Sequence, residues 1–270
     1  MKKVFLFLFT ILAIFSFGWL YSDSNVQITS GGLGSITISG GGNGTASIVN
    51  SGLSHYPDIT FYDKMDSSTT GRAPTKGAGT FTVSSNIVPA AALSSSSTAS
   101  LYGNVLGFKH MVTTAAANIN LSAGRAGFYF EWDTATNLTT TALGWNPSAD
   151  PSPRFRFGKG TSGNTWSFKY EDVTVSQSLT AGTTYYVEFA WDHSKANGFC
   201  AEIRVDGGTF ATSNTCSASV PSFTPNALSL MGDADLVSAT SLNGKMDEVI
   251  ISSDSTRDLY AIRNLGSYPD

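Results

Sequence analysis

From residue 57 onward the chain alternates apolar and polar positions with a period of two, in short runs broken by Gly, Asn, Asp and Ser. The first such run is Ile59-Thr-Phe-Tyr-Asp, followed by a loop over 67–74. Residues 90–100 form a Ser/Ala tract that reads as an irregular connection, and 106–112 alternate again. In 127–133, Phe128, Phe130 and Trp132 share one face while Tyr129, Glu131 and Asp133 share the other, as in a half-buried strand. The same logic sends Phe155 and Phe157 inward, then Trp166, Phe168 and Tyr170, then Tyr185, Val187, Phe189 and Trp191. Residues 201–207 read as a strand ending in an Asp206-Gly207 hairpin turn. Only residues 256–265 look helical: Ser255-Thr-Arg-Asp258 resembles a capping box and Gly266 stands at the position after the last turn. No internal repeat is evident. Strands every eight to fifteen residues or so, with turn residues between them, predict an all-β protein: a two-sheet antiparallel jelly-roll sandwich with one short C-terminal helix.

The first 22 residues differ in kind. Met1-Lys2-Lys3 is basic, and 4–20 are apolar apart from Thr10, Ser16 and Gly18. This reads as a secretory signal peptide cleaved between Gly18 and Ser22. An uncleaved anchor is the alternative, although seventeen residues at about 1.5 Å each barely cross a hydrocarbon layer of about 30 Å. Residues 23–56 form a Gly/Ser-rich extension in which Val26, Ile28, Ile36, Ile38 and Ile48 alternate with polar residues, a β-type pattern whose composition also suits a linker. Residues 57–270 form the jelly roll, of ordinary length for a single β-sandwich. The expected location is extracellular or at the cell surface, with the periplasm left open.

Charged residues make up only 13% of the chain. Loss of Lys2 and Lys3 with the leader takes 16 basic and 20 acidic residues to 14 and 20, a net charge of −6. No basic cluster is present, which argues against a nucleic-acid partner. A membrane partner enters only through an uncleaved N-terminus. In an oxidising compartment the two cysteines, Cys200 and Cys216, read as one disulfide.

Four segments, in order, carry a family resemblance: Gly127-Phe-Tyr-Phe-Glu-Trp, Leu179-Thr-Ala-Gly-Thr-Thr-Tyr-Tyr-Val-Glu-Phe-Ala-Trp-Asp, Ala201-Glu-Ile-Arg-Val-Asp-Gly and Gly244-Lys-Met-Asp-Glu-Val. Together they resemble the laminin-G-like domains of the concanavalin A-like lectin/glucanase superfamily, over residues 59–266. That superfamily holds lectins, adhesion modules, hydrolases and lyases, so the resemblance implies a fold more than a reaction. It also implies a structural calcium ion, with the Asp247 carboxylate and oxygens near Asp63 as ligands. Asp233 and Asp235 form a further acidic loop pair, more simply a solvated one.

Glu131 and Asp133 invite comparison with the Glu-x-Asp-x-x-Glu strand of laminarinase-type hydrolases. Retaining hydrolysis needs two carboxylates about 5–5.5 Å apart, and the third position here is Thr136. His55, His110 and His193 show no metal spacing, and no nucleophile-elbow pattern occurs. Trp132 and Trp191 fall on the inward phase and read as core. Trp145, in the loop-flanked Leu143-Gly-Trp-Asn-Pro, is the leading candidate for sugar stacking, followed by Tyr102 and Tyr186. The reading is a secreted non-catalytic module that binds a glycan or an extracellular protein. A structural or adhesin-type assembly protein is the alternative, and a polysaccharide hydrolase or lyase the third choice.

Overall fold

A computed structural model describes residues 37–39, 45–47, 56–103, 111–114, 117–133, 140–146, 155–159, 163–216, 227–232 and 242–263. The chain divides into two units, Met1–Asn50 and Ser51–Asp270. In the first, β1 (Thr37–Ser39) and β2 (Thr45–Ser47) pair antiparallel, with Ile38 opposite Ala46.

The second unit is a sandwich of two antiparallel sheets. Its strands are β3 (Ile59–Asp63), β4 (Thr82–Val83), β5 (Ile87–Ala90), β6 (Ser100–Gly103), β7 (Met111–Thr114), β8 (Ala123–Trp132), β9 (Thr140–Asn146), β10 (Phe155–Lys159), β11 (Thr165–Tyr170), β12 (Val173–Ser178), β13 (Tyr185–Asp192), β14 (Ala201–Val205), β15 (Ala211–Ser213), β16 (Ala227–Leu230) and β17 (Gly244–Ser252). The seven-stranded sheet runs β12-β11-β10-β9-β16-β7-β4. The eight-stranded sheet runs β15-β14-β13-β8-β17-β6-β5, with β3 beside the second half of β17.

The aromatic ribbons meet between the sheets. Phe128, Phe130 and Phe189 of one sheet interdigitate with Phe155, Phe157, Trp166 and Phe168 of the other, all fully buried. Phe168 and Phe189 stack at 4.3 Å, and Phe155 meets Trp191 edge-on at 4.6 Å. Each ring removes a large apolar area from water and gains a further 0.5–1.5 kcal/mol or so from such geometries. Trp132 and Trp191 belong to this core, as their phase predicts. Asp206 and Gly207 both adopt positive φ, which bends the chain from β14 toward β15. Cys200 and Cys216 form the expected disulfide, with Cα atoms 5.6 Å apart.

The C-terminal helix is not formed. Residues 254–263 make successive turns, and no α-helix occurs among the described residues. Distant partners hold the middle of this segment and a local turn holds its start. The Leu259 N–H donates to Glu188 Oε1 at 3.2 Å, Arg257 forks onto Asp58, and the Asp254 carboxylate accepts from the Thr256 N–H at 2.8 Å. The Leu259 side chain is fully buried against the outer face of the eight-stranded sheet, in a second small core with Ile59, Tyr62, Tyr186 and Ile250.

Candidate functional site

Most of that outer face is closed by the protein itself. Arg125 donates to Glu188 at 2.7 Å, to Glu202, and to the Ser255 carbonyl at 2.8 Å. Arg204 pairs with Glu188 at 2.8 Å and with Asp258. Both guanidinium groups lie over Phe210. Tyr186, expected at the surface as a ligand contact, is instead buried. Its hydroxyl donates to the Leu259 carbonyl at 3.3 Å and its ring meets Tyr129 edge-on. The fold-back of residues 254–263 covers the phase that alternation alone assigns to solvent.

A bulge shapes the next part of the face. Between Asp247 and Ile250 the register of β17 against β8 slips, and Glu248 takes φ of 49°. Met246, Val249 and Ile251 stay in the core, so the two adjacent acids, Asp247 and Glu248, are left for the outer side. The serine tract caps them. The N–H groups of Leu93 and Ser94 donate to Asp247 Oδ2 at 2.8 and 3.0 Å, the Ser97 hydroxyl donates to Oδ1 at 2.6 Å, and the Ser96 hydroxyl donates to Glu248. Burial raises the pKa of both carboxyls, against the lowering effect of these hydrogen bonds.

This arrangement does not fit the calcium ion that the resemblance implies. Calcium takes six to eight or so oxygen ligands, whereas Asp247 is ringed by N–H and O–H donors. Both oxygens of Asp63 are held by Arg72 at 2.5 and 2.7 Å, and one also accepts from the Met65 N–H. Among the described residues no group of three or more His, Cys, Asp or Glu is arranged to hold a metal. Asp233 and Asp235 lie outside the described residues.

One corner of the face stays open. Val88, Tyr102, Lys245 and Glu131 stand in register across β5, β6, β17 and β8. Val88 is the one large apolar side chain among the described residues that is exposed. Lys245 Nζ contacts Glu131 Oε1 at 2.7 Å, and the Thr184 hydroxyl donates to Oε2 at 2.8 Å. Burial acts to raise the Glu131 pKa, but these donors and the ammonium charge outweigh it and hold the carboxyl below its ordinary value. The Tyr102 hydroxyl donates to Asp133 Oδ2 at 2.8 Å, and burial followed by that carboxylate raises its pKa. Pairing continues past β17, with the Asp133 N–H donating to the Asn243 carbonyl at 2.9 Å. Strand alternation sets Asn243 on the face of Lys245. Its side chain is buried, and neither end of its amide has a hydrogen-bond partner. A buried amide left unmatched costs about 1–3 kcal/mol.

Of the expected ligand residues, Tyr102 therefore stands in an open polar site, Tyr186 does not, and Trp145 lies elsewhere. The backbone of Trp145 lies one residue before the end of β9, paired with Phe155 on one side and Leu228 on the other, and its side chain lies outside the described residues. Asn243 and Lys245 escaped the sequence reading. Lys245 was open to period-two reasoning, two residues before Asp247, whereas no sequence signal marks Asn243.

A scan of protein-family models finds no match, and neither does a search of curated proteins. Solved structures do match. Trypanosoma rangeli sialidase in complex with sialic acid aligns with TM-score 0.56 and 12% identity, over 78% of this chain and 33% of the sialidase chain. Domain 4 of an extracellular arabinanase from Geobacillus stearothermophilus, in complex with arabinotriose, aligns with TM-score 0.54 and 14% identity, over 77% of this chain and 98% of that one. The botulinum neurotoxin serotype D binding domain aligns with TM-score 0.51 and 10% identity, over 76% and 51%. The chain thus spans about a third of the sialidase's length and nearly all of the arabinanase domain. At such identities the likeness is one of fold, and the chain is an all-β, two-sheet antiparallel sandwich of the kind these proteins contain.

Proposed function

We propose that this protein is a secreted, non-catalytic carbohydrate-binding module, with a concanavalin A-like jelly roll as its fold family. The observation that carries the reading is the open corner itself, where the half-buried Tyr102 pairs with Asp133 beside the exposed Val88 and the Lys245–Glu131 pair, with the Asn243 amide buried and unmatched beneath. Sugar hydroxyls both donate and accept, which an amide and a carboxylate need, and the Tyr102 ring and Val88 offer apolar surface to a pyranose or furanose face. The arabinotriose complex of the arabinanase domain supports the same class of ligand for a sandwich of this size. The non-catalytic part rests on Glu131 and its missing partner: Lys245 and Thr184 hold Glu131 as a carboxylate, which argues against it as the general acid, and the position of the second glutamate in the hydrolase strand motif is Thr136.

A glycan array on the purified protein tests the reading, followed by calorimetry on the best ligand. Tyr102→Ala and Asn243→Ala should each weaken binding about tenfold or more, equivalent to about 1.4 kcal/mol. A protein that binds no glycan, or that binds one equally well in both variants, refutes the site. Release of reducing sugar from a bound glycan refutes the non-catalytic assignment.

A further inference from the structure

The outer face of the seven-stranded sheet carries a different chemistry. Arg156 on β10 and Lys169 on β11 stand directly opposite each other. Alternation puts both there, because Phe155, Phe157, Phe168 and Tyr170 take the core side. Like charges facing across a ladder destabilise it. The chain has acids enough to prevent this, with a net charge of −4. It uses them elsewhere: Arg72 pairs with Asp63, Arg125 with Glu188 and Glu202, Arg204 with Glu188 and Asp258, Lys245 with Glu131, and Arg257 with Asp58. Among the described residues Arg156 and Lys169 have no ion pair and no side-chain hydrogen bond.

Their surroundings are hydroxyls. Thr174 stands opposite Lys169 on β12, and the next outward pair, Ser167 and Ser176, share a hydrogen bond at 2.8 Å. Gly144 opposes Arg156 on β9, so the residue directly facing it there brings no side chain. Beyond Thr174 the strip meets a groove of about 240 Å³ between the edges of β12 and β15, lined also by Ser213 and Thr215 and by the acidic Asp172, so a polymer's anionic group would be held at Arg156 and Lys169 and only its neutral hydroxyls would enter the groove. We infer that this strip binds an anionic polysaccharide, with Arg156 and Lys169 together holding one carboxylate or sulfate group and the hydroxyls taking the sugar's own. The unneutralised pair supplies the charge complement, and a bound anion removes the repulsion between them. The inference rests on the carbohydrate reading for the class of polymer but uses a separate surface.

The test measures binding of the full chain to polygalacturonate, dextran sulfate, uncharged dextran and single-stranded DNA, at low and at moderate salt. The expected result is binding to at least one of the two charged polymers, weakened at least tenfold by salt, with dextran bound at least tenfold more weakly at this strip. Preference for polygalacturonate or for dextran sulfate identifies carboxylate or sulfate as the group held. Arg156→Gln/Lys169→Gln should lose that binding, and Asn243→Ala should keep it. Lys169→Glu gives Arg156 an internal counter-ion, so it should abolish polyanion binding while raising the melting temperature. Polyanion binding that survives in Lys169→Glu overturns the inference, as does failure of both charged polymers to bind or equal binding of single-stranded DNA. If the array ligand depends on Tyr102 and Asn243 while the charged polymers ignore Arg156 and Lys169, only this inference falls. The reverse pattern sinks only the corner site.

Discussion

Replacing Arg125 by Met tests the closed part of the eight-stranded sheet. Arg125 lies buried on β8 and reaches Glu188 on β13, Glu202 on β14 and the Ser255 carbonyl beyond β17. Glu188 keeps Arg204 and the Leu259 N–H when Arg125 is lost. Glu202 keeps no hydrogen-bonding side chain among the described residues. Removing one partner of a buried ion pair costs about 3–5 kcal/mol, because the other charge remains uncompensated. Met keeps an unbranched chain of similar length but gives up the guanidinium's place over Phe210, so the double variant with Glu202→Gln is what separates the uncompensated charge from that loss. For a domain of 150–250 residues each kcal/mol moves the melting temperature by about 2–4 °C, which gives a fall of roughly 6–20 °C. Burial already raises the Glu202 pKa against the pull of Arg125. A carboxyl with a raised folded pKa stabilises the fold when protonated, and that contribution is lost as pH rises through the folded value. The deficit of Arg125→Met should therefore shrink as pH is lowered from neutral toward 5, and Arg125→Met/Glu202→Gln should recover part of it at neutral pH. Calorimetric melting of the single and double variants at pH 5 and 7 measures this. A loss below about 2 °C in the single variant, or a double variant no better than the single, refutes the assignment of Arg125 as the neutralising centre.

Two further outcomes follow from the same face. In Gly127→Ala the new methyl would sit 2.5 Å from the Tyr186 hydroxyl, which the Leu259 carbonyl holds in place, so urea unfolding should show a loss of about 1–3 kcal/mol that Tyr186→Phe in the same molecule relieves. Asp247 and Glu248 have pKa values raised chiefly by burial, so the stability they add is complete below their unfolded values and disappears as pH rises through the folded ones; Glu248→Gln should flatten the decline in melting temperature between pH 5 and 8, and an unchanged slope would rule out Glu248 as its source.

The aromatic ribbons are readable from sequence because a strand encodes its face in every second residue. Phe128, Phe130 and Trp132 can only share a side, and a side bearing three large rings must be covered. The same rule misleads at Tyr186. Alternation places it opposite Val187 and Phe189, which is correct, but the opposite side is solvent only if nothing returns to cover it. Residues 254–263 do return, and no local pattern announces this. Their own local pattern points to a helix, through a cap at Ser255 and a stop at Gly266. The cap signals reach only a few residues along the chain, while Glu188 and Asp58 reach the same backbone and side chains from 71 and 199 residues away. Distant partners of full charge outweigh a cap worth about 1 kcal/mol.

The bulge at Glu248 explains why the acidic motif of β17 misdirects. Read as a regular strand, Asp247 and Glu248 alternate, one in and one out. The structure inserts one residue against β8, and both become outer-face acids that need donors. The serine tract supplies those donors, so the stretch read as mere connection is the cover that lets two adjacent carboxylates be buried. The sheet can close this region because the buried side-chain polar atoms there have partners in the chain, except Glu248 Oε2 and the Tyr62 hydroxyl. The corner at Tyr102 and the strip at Arg156 break that rule openly, one with an unmatched amide and the other with unmatched charges. Buried atoms without a partner also occur at Tyr62, Trp132, Trp166 and Glu248, so it is half-exposure together with unmatched chemistry that singles out the corner and the strip as the places to test with ligands.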